Sequence, residues 1–176
     1  MSQPPEQPNG TDRPMNRTRD FRPADQTAVR DLIQAGLRSR WGAGYDPSAN
    51  PDTDDLTANY LDPGGEIAVV DVDGTPVATG ILCVEQPPGF VAAVTGTTPI
   101  GRLRRISVSE HHQRRGLGRL IVQDLVRRSA HRGLRYALVS TDTPWVDAVA
   151  LYESCGFVTV HVDGEETHLL RGTEGL

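Results

Sequence analysis

Apolar positions recur at helical spacing in two long stretches of the chain and in short alternating or continuous runs elsewhere. Val29, Leu32, Ile33 and Leu37, with Trp41 a turn later, mark one face of a helix that Pro23 opens and Gly42 ends. Leu117, Leu120, Ile121 and Leu125 mark a second, with Gly133 as its stop. Residues 66–71 and 77–84 flank Asp73-Gly74, and residues 157–162 and 166–171 flank Asp163-Gly164, so each pair reads as a hairpin. Single strands are predicted over 19–22, 102–108 and 136–140. Short helices are predicted over 52–61, stopped by Pro63 and Gly64-Gly65, and from Pro144 to Ser154. Residues 42–50 read as loop. Residues 86–99, with Pro87-Pro88-Gly89 and Gly96, read as a flexible connection or a distorted extension of the neighbouring strands. The order predicts an α/β (α+β) fold, one mixed sheet flanked by helices.

The junction between residues 102–108 and the helix at Leu117 concentrates the chemistry. Gln113-Arg-Arg-Gly-Leu-Gly118 places two glycines where a strand turns into a helix, so the backbone can bend sharply and approach a ligand. The first N–H groups of a helix lack partners and attract phosphate, and Arg114, Arg115 and Arg119 add fixed positive charge suited to paired hydrogen bonds with phosphate oxygens. The loop reads as a pyrophosphate cradle. It is no Walker loop, since the chain has no lysine, and no dinucleotide fingerprint, since Ile121 stands where the third glycine belongs.

The Gln/Arg-x-x-Gly-x-Gly/Ala loop, the strand ending Ile106-Ser107-Val108 before it, and Leu151-Tyr-Glu-Ser-Cys-Gly-Phe157 after it resemble the GNAT superfamily of acyl-CoA-dependent N-acyltransferases. The resemblance covers roughly residues 19–171. It implies a mostly antiparallel sheet of about six to seven strands in which the strand before the loop and the strand after its helix splay apart. It also implies acetyl-CoA as acyl donor, held by the loop residues Gln113, Arg114, Arg115, Gly116, Leu117, Gly118 and Arg119 and by main-chain atoms along Ile106, Ser107 and Val108. Dimers are frequent in the family, so a homodimer is compatible with it.

Composition narrows the class. At 176 residues the chain suits one domain, here 19–171 between an N-terminal tail over 1–18, too poor in apolar residues to order itself, and a short tail over 172–176. Met15 is an alternative start. The net charge of −5 is unevenly shared: residues 101–135 hold ten arginines against Glu110 and Asp124, a local excess of eight positive charges. A basic segment beside a phosphate loop suits a polyanionic cofactor, and an acidic remainder suits a cationic amine; the overall acidity argues against nucleic acid. Cys83 and Cys155 lack metal-ligand spacing and read as reduced and inert, and no metal is expected. With no apolar run near eighteen residues and no signal-peptide core, no membrane is expected either, and the expected location is the cytoplasm.

Acyl transfer to an amine makes three demands. An ammonium of pKa ~10.4 is roughly 0.1% neutral at pH 7, so the site needs a base or must depress that pKa. The oxyanion needs donors, which backbone N–H groups near Val108 supply. The leaving thiolate needs a donor, and Tyr152 matches the family's motif tyrosine. With ordinary values of ~8.5 for the thiol and ~10 for the phenol, full proton transfer would be uphill by about 2 kcal/mol, which favours Tyr152 as hydrogen-bond donor and relay. Two positions depart from the family pattern: Trp145 stands where many members carry a cofactor-contacting asparagine, and Arg104 where many carry a glutamate base. Glu85 is the candidate replacement base, with His111 and His112 as further possibilities. Arg104 is also suited to a carboxylate of an amino-acid or peptide substrate. Asp52, Asp54 and Asp55 either meet a cationic acceptor or only complement a helix dipole. No nucleophile with a base partner is visible, so direct transfer to a small-molecule, amino-acid or peptide amine is expected. A non-catalytic acyl-CoA-binding regulatory module is the alternative, and nucleic-acid binding through the arginines a third.

Overall fold

The apolar runs at 67–70, 77–82 and 137–139 are continuous because both faces of their strands are covered. The computed structural model describes residues 17–174; the tail expected over 1–18, Met15 included, lies outside the described residues except for Arg17 and Thr18. Seven strands form one sheet: β1 (Thr18–Asp20), β2 (Glu66–Val72), β3 (Thr75–Glu85), β4 (Ile100–Val108), β5 (Tyr136–Asp142), β6 (Val158–Val162) and β7 (Glu166–Gly172), in the order β1-β2-β3-β4-β5-β7-β6. Every neighbouring pair is antiparallel except β4 and β5. Those two run parallel because a whole helix, α3 (Leu117–His131), carries the chain back between them. Thr173, just past β7, is buried and donates to the Leu134 carbonyl at 2.6 Å.

Helix α3 and helix α4 (Val146–Ser154) cover one face, where Ile121, Leu125 and Tyr152 pack on Leu82, Leu103, Ala137 and Val139. On the opposite face, helix α1 (Gln26–Trp41) sets Val29 and Ile33 against Ile67, Val69 and Ile81. A short helix, α2 (Gly89–Thr95), sets Val91 against Ile100, Leu138 and Leu170 on that same face. Its presence corrects the expected flexible connection. Pro88 starts it, Gly96 at φ 71° ends it, and the burial of Val91 stabilises a helix too short to stand alone. The helix expected over 52–61 is likewise broken, into a 3-10 turn at Pro51–Thr53 and a π turn at Thr57–Leu61. Asp55 Oδ1 accepts the Ala58 N–H at 2.9 Å and caps the second turn.

Two irregularities in β4 position the site. Thr79 pairs with Ser107 and Ile81 with Arg104, so Gly80 faces two residues and β4 bulges, with Arg105 at φ 54°. The extra residue resets the alternation, and Leu103, Ile106 and Val108 all turn to the α3 core while Arg105 swings away. Gly80 makes room for this: a Cβ there would stand 2.5 Å from Ile121 Cγ2 and 3.1 Å from Ile106 Cγ1. The second irregularity is the β4–β5 ladder, which spans only Gly101↔Ala137, Arg102↔Leu138 and Leu103↔Val139. Beyond it β5 continues along β7, while residues 104–108 keep a free edge toward β5. The splayed pair that the resemblance implied is therefore present.

Candidate functional site

The open end of this fork meets the cradle. Arg114 lies at φ 58° and Gly116 at φ 82°, so the loop winds through two left-handed positions before α3 begins. Backbone turns of this kind converge N–H groups on one point. Gly116 is the N-cap of α3 and has no side chain to bond the first turn, which leaves the N–H groups of the helix start open to an anion. Gly118 sits where a Cβ would press 3.2 Å from Leu151 Cδ2, so the glycine keeps α3 close to α4. Gln113 Nε2 donates to the Val108 carbonyl at 3.4 Å and ties the loop to the free end of β4.

Charge is concentrated by subtraction. Of the ten arginines in residues 101–135, Arg104, Arg105, Arg127, Arg128, Arg132 and Arg135 form ion pairs. Among the described residues the other four have no carboxylate partner: Arg114, Arg115 and Arg119 at the cradle, and Arg102 at the fork. Arg119 reaches only the Ser154 carbonyl, at 3.2 Å. The unpaired positive charge of this segment is therefore gathered at the cradle and the fork, and the cradle fits a diphosphate.

On the face shared by α1 and α2, Arg104 donates to Glu85 Oε1 at 2.7 and 3.1 Å. Both side chains line a cleft of about 430 Å³ together with Asp52, Tyr60, Cys83 and Arg105. Asp52 is not available to a cationic substrate, since Arg105 holds both its oxygens, at 2.6 and 2.9 Å, and Tyr60 donates to it as well. Burial pushes the Tyr60 phenol up to about 12, so it stays a donor.

Tyr152 is 7% exposed, with its ring edge-on to Phe157 at 6.0 Å. Its hydroxyl makes no hydrogen bond among the described residues, yet it is not among the enclosed unpaired atoms, of which Tyr45 Oη is the one case. The side chain is packed in the core under α3 and α4. Burial pushes the phenol up to about 12, which raises the cost of full proton transfer to a thiolate of pKa ~8.5 to about 5 kcal/mol. Trp145 lies between Arg40, 4.8 Å from its ring, and Trp41, 5.8 Å away edge-on, while Arg40 pairs with Asp147 at 2.7 and 2.8 Å. These contacts join the end of α1 to the start of α4. His111 and His112 fall in a 3-10 turn beside the cradle. Both cysteines are free thiols, and burial raises both.

The model of the acetyltransferase (GNAT) family matches residues 28–157. The chain belongs to that family. A mycothiol acetyltransferase of Kocuria rhizophila is 29% identical over 106 residues, 60% of this chain and 33% of that protein. The chain spans less than half the length of the curated relatives it matches. A GNAT-family acetyltransferase of Staphylococcus aureus superposes with a TM-score of 0.72 at 13% identity, over 89% of this chain and 98% of that one. The PaiA N-acetyltransferase of Thermoplasma acidophilum, solved in complex with coenzyme A, superposes at 0.70 with 10% identity, over 88% and 97% of the two chains. At such identities the likeness is one of fold. No helix among the described residues is long and apolar enough to cross a membrane.

In this GNAT protein one polar row escaped the sequence reading. Arg102 Nη2 donates to Ser140 Oγ at 2.8 Å across the fork, and Ser140 also meets His168 Nδ1. His168 Nε2 lies 3.4 Å from Asp163 Oδ2 and 3.9 Å from Glu166 Oε2. The available signal was a histidine inside the apolar run Thr167-His-Leu-Leu170, a polar group on a strand buried on both faces.

Proposed function

We propose that this GNAT-family protein transfers the acetyl group of acetyl-CoA to a primary amine of a small molecule, amino acid or peptide, by direct attack in a ternary complex. The observation that carries the reading is the free edge of β4 beside an uncapped, arginine-flanked helix start. Bound acetyl-CoA supplies an acyl thioester. Gln113, Arg114, Arg115, Gly116, Leu117, Gly118 and Arg119 hold its diphosphate, and main-chain groups of Ile106, Ser107 and Val108 on the unpaired edge hold its arm, as an added strand pairs with a sheet edge.

Backbone N–H groups on that edge stabilise the developing oxyanion, and Tyr152 donates a hydrogen bond to the departing sulfur. With its phenol at about 12, Tyr152 acts as a donor and not as a free-standing acid. Glu85 serves as base only if its ion pair with Arg104 opens. The test is incubation of the purified protein with acetyl-CoA and pooled amines and peptides, following free thiol and then acetylated mass. Thiol release with an acetylated amine is expected. Tight acetyl-CoA binding with no release across the panel would replace the enzyme by a binding module.

A further inference from the structure

The ion pair with Arg104 occupies Glu85, the first candidate to accept the amine's proton. The polar row at the fork offers another. Ser140 is the first β5 residue past the last β4–β5 pair, and the Arg102 guanidinium crosses the fork to reach its oxygen at 2.8 Å. A guanidinium only donates, so it fills one lone pair of the hydroxyl. His168 stands opposite Ser140 in the β5–β7 register and is 4% exposed. Its Nε2 faces the carboxylates of Asp163 and Glu166, which accept only, so Nε2 carries the hydrogen. In the neutral ring Nδ1 is then the acceptor, and Ser140 donates to it. The second lone pair of Ser140 Oγ is left for a substrate N–H.

We infer that Ser140 and His168 form a proton relay that takes the proton of the attacking amine. This rests on the acetyl-transfer reading. As the bond from amine nitrogen to acyl carbon forms and the carbon–sulfur bond breaks, an amine proton passes to Ser140 Oγ and the Ser140 hydroxyl proton passes to His168 Nδ1. The bonding pair leaves with sulfur as thiolate. The imidazolium formed keeps Nε2–H against Asp163 and Glu166, and its Nδ1 proton returns through Ser140 Oγ to the departing thiolate, which leaves as the free thiol. Ser140 touches the substrate; His168 acts through it as a positioning base. The charged and titratable groups placed around the ring are Glu166 on β7, Asp163 in the β6–β7 turn and His161 on β6, with Arg102 of β4 on the same Ser140 hydroxyl. From α2 the neutral ring of Phe90 packs against it, at 4.6 Å. Asp163, Glu166 and His168 also bring ligand-type atoms within 4.8 Å of one another, but a cation would need Nε2 without its hydrogen.

Two measurements test the relay. Nitrogen-15 NMR of the free protein at mildly alkaline pH reads the His168 tautomer independently of any activity. An Nε2–H ring with acceptor Nδ1 is expected, and an Nδ1–H ring would overturn the relay. In steady-state assays Ser140→Ala and His168→Gln should each lower kcat on the order of 10²-fold. Acetyl-CoA affinity should be unchanged, and Ser140→Thr should restore turnover. If the wild type acetylates an amine while Ser140→Ala keeps its turnover, the relay is wrong and the acetyl-transfer reading stands. If the wild type acetylates nothing, that reading fails and the relay fails with it.

Discussion

Arg105 occupies a left-handed backbone position, φ 54°, and its guanidinium closes on Asp52 at 2.6 and 2.9 Å, with Asn50 Oδ1 a third partner at 2.8 Å. A non-glycine residue in that region costs on the order of 1–3 kcal/mol and persists where its surroundings fix it. The ion pair is what fixes this one. The bulge it secures turns Ile106 and Val108 onto the α3 face and directs β4 toward the fork.

Asp52→Ala strands the Arg105 guanidinium and removes the acceptor of the Tyr60 hydroxyl. The loss of stability expected is about 1–3 kcal/mol in urea unfolding. Arg105→Gly removes the same pair but also the backbone strain, so it should cost less than Asp52→Ala. Equal losses would show that the bulge carries no strain.

Tyr152→Phe removes a hydroxyl with no partner among the described residues, so the melting temperature should hold. Turnover should fall roughly 10–100-fold with acetyl-CoA affinity retained. Because burial holds the phenol near 12, its ionisation should add no limb to the pH profile below about pH 10. Unchanged turnover would remove Tyr152 from the reaction.

At the cradle, Arg114 and Arg115 are solvated and unpaired among the described residues, so Arg115→Ala should leave folding intact. It should raise the Kd for coenzyme A about tenfold, as expected for a charge-assisted phosphate contact of about 1.4 kcal/mol. Gly116→Ala places a side chain at φ 82° and should cost about 1 kcal/mol of stability as well as affinity. Calorimetric titration with coenzyme A reads both.

Arg19 donates to both oxygens of Asp25 at 2.6 and 3.0 Å, and the Arg22 N–H adds a third bond at 2.7 Å. Chiefly through Arg19, the Asp25 carboxyl is held below its ordinary value. A folded-state value depressed in this way contributes stability that is complete above the unfolded value of ~3.9 and is lost as pH falls through the folded value. Asp25→Asn should therefore destabilise by about 1–3 kcal/mol at neutral pH, and the gap to wild type should close below about pH 4. A gap that stays constant down to pH 2 would assign the effect to packing.

The order of the strands and of the long helices, the two Asp-Gly hairpins and the sharp glycine turn before α3 were legible in the sequence. They depend on periodicity and on the steric limits of single residues, which act within a few positions. Helix α2 was missed because its prolines and glycines read as loop, and only the contact of Val91 with Ile100, Leu138 and Leu170 makes a helix there. The decisive pairings lie between distant residues: Arg105 with Asp52 across 53 positions, Arg102 with Ser140 across 38, and Ser140 with His168 across 28. No local signal links such partners, because strand register and the bulge at Gly80 set which side chains face one another. The sequence by itself determined where unpaired positive charge and the glycine turn gather. Only the tertiary structure decided which arginines are neutralised and which hydroxyl stands at the fork, since both follow from long-range packing of the sheet.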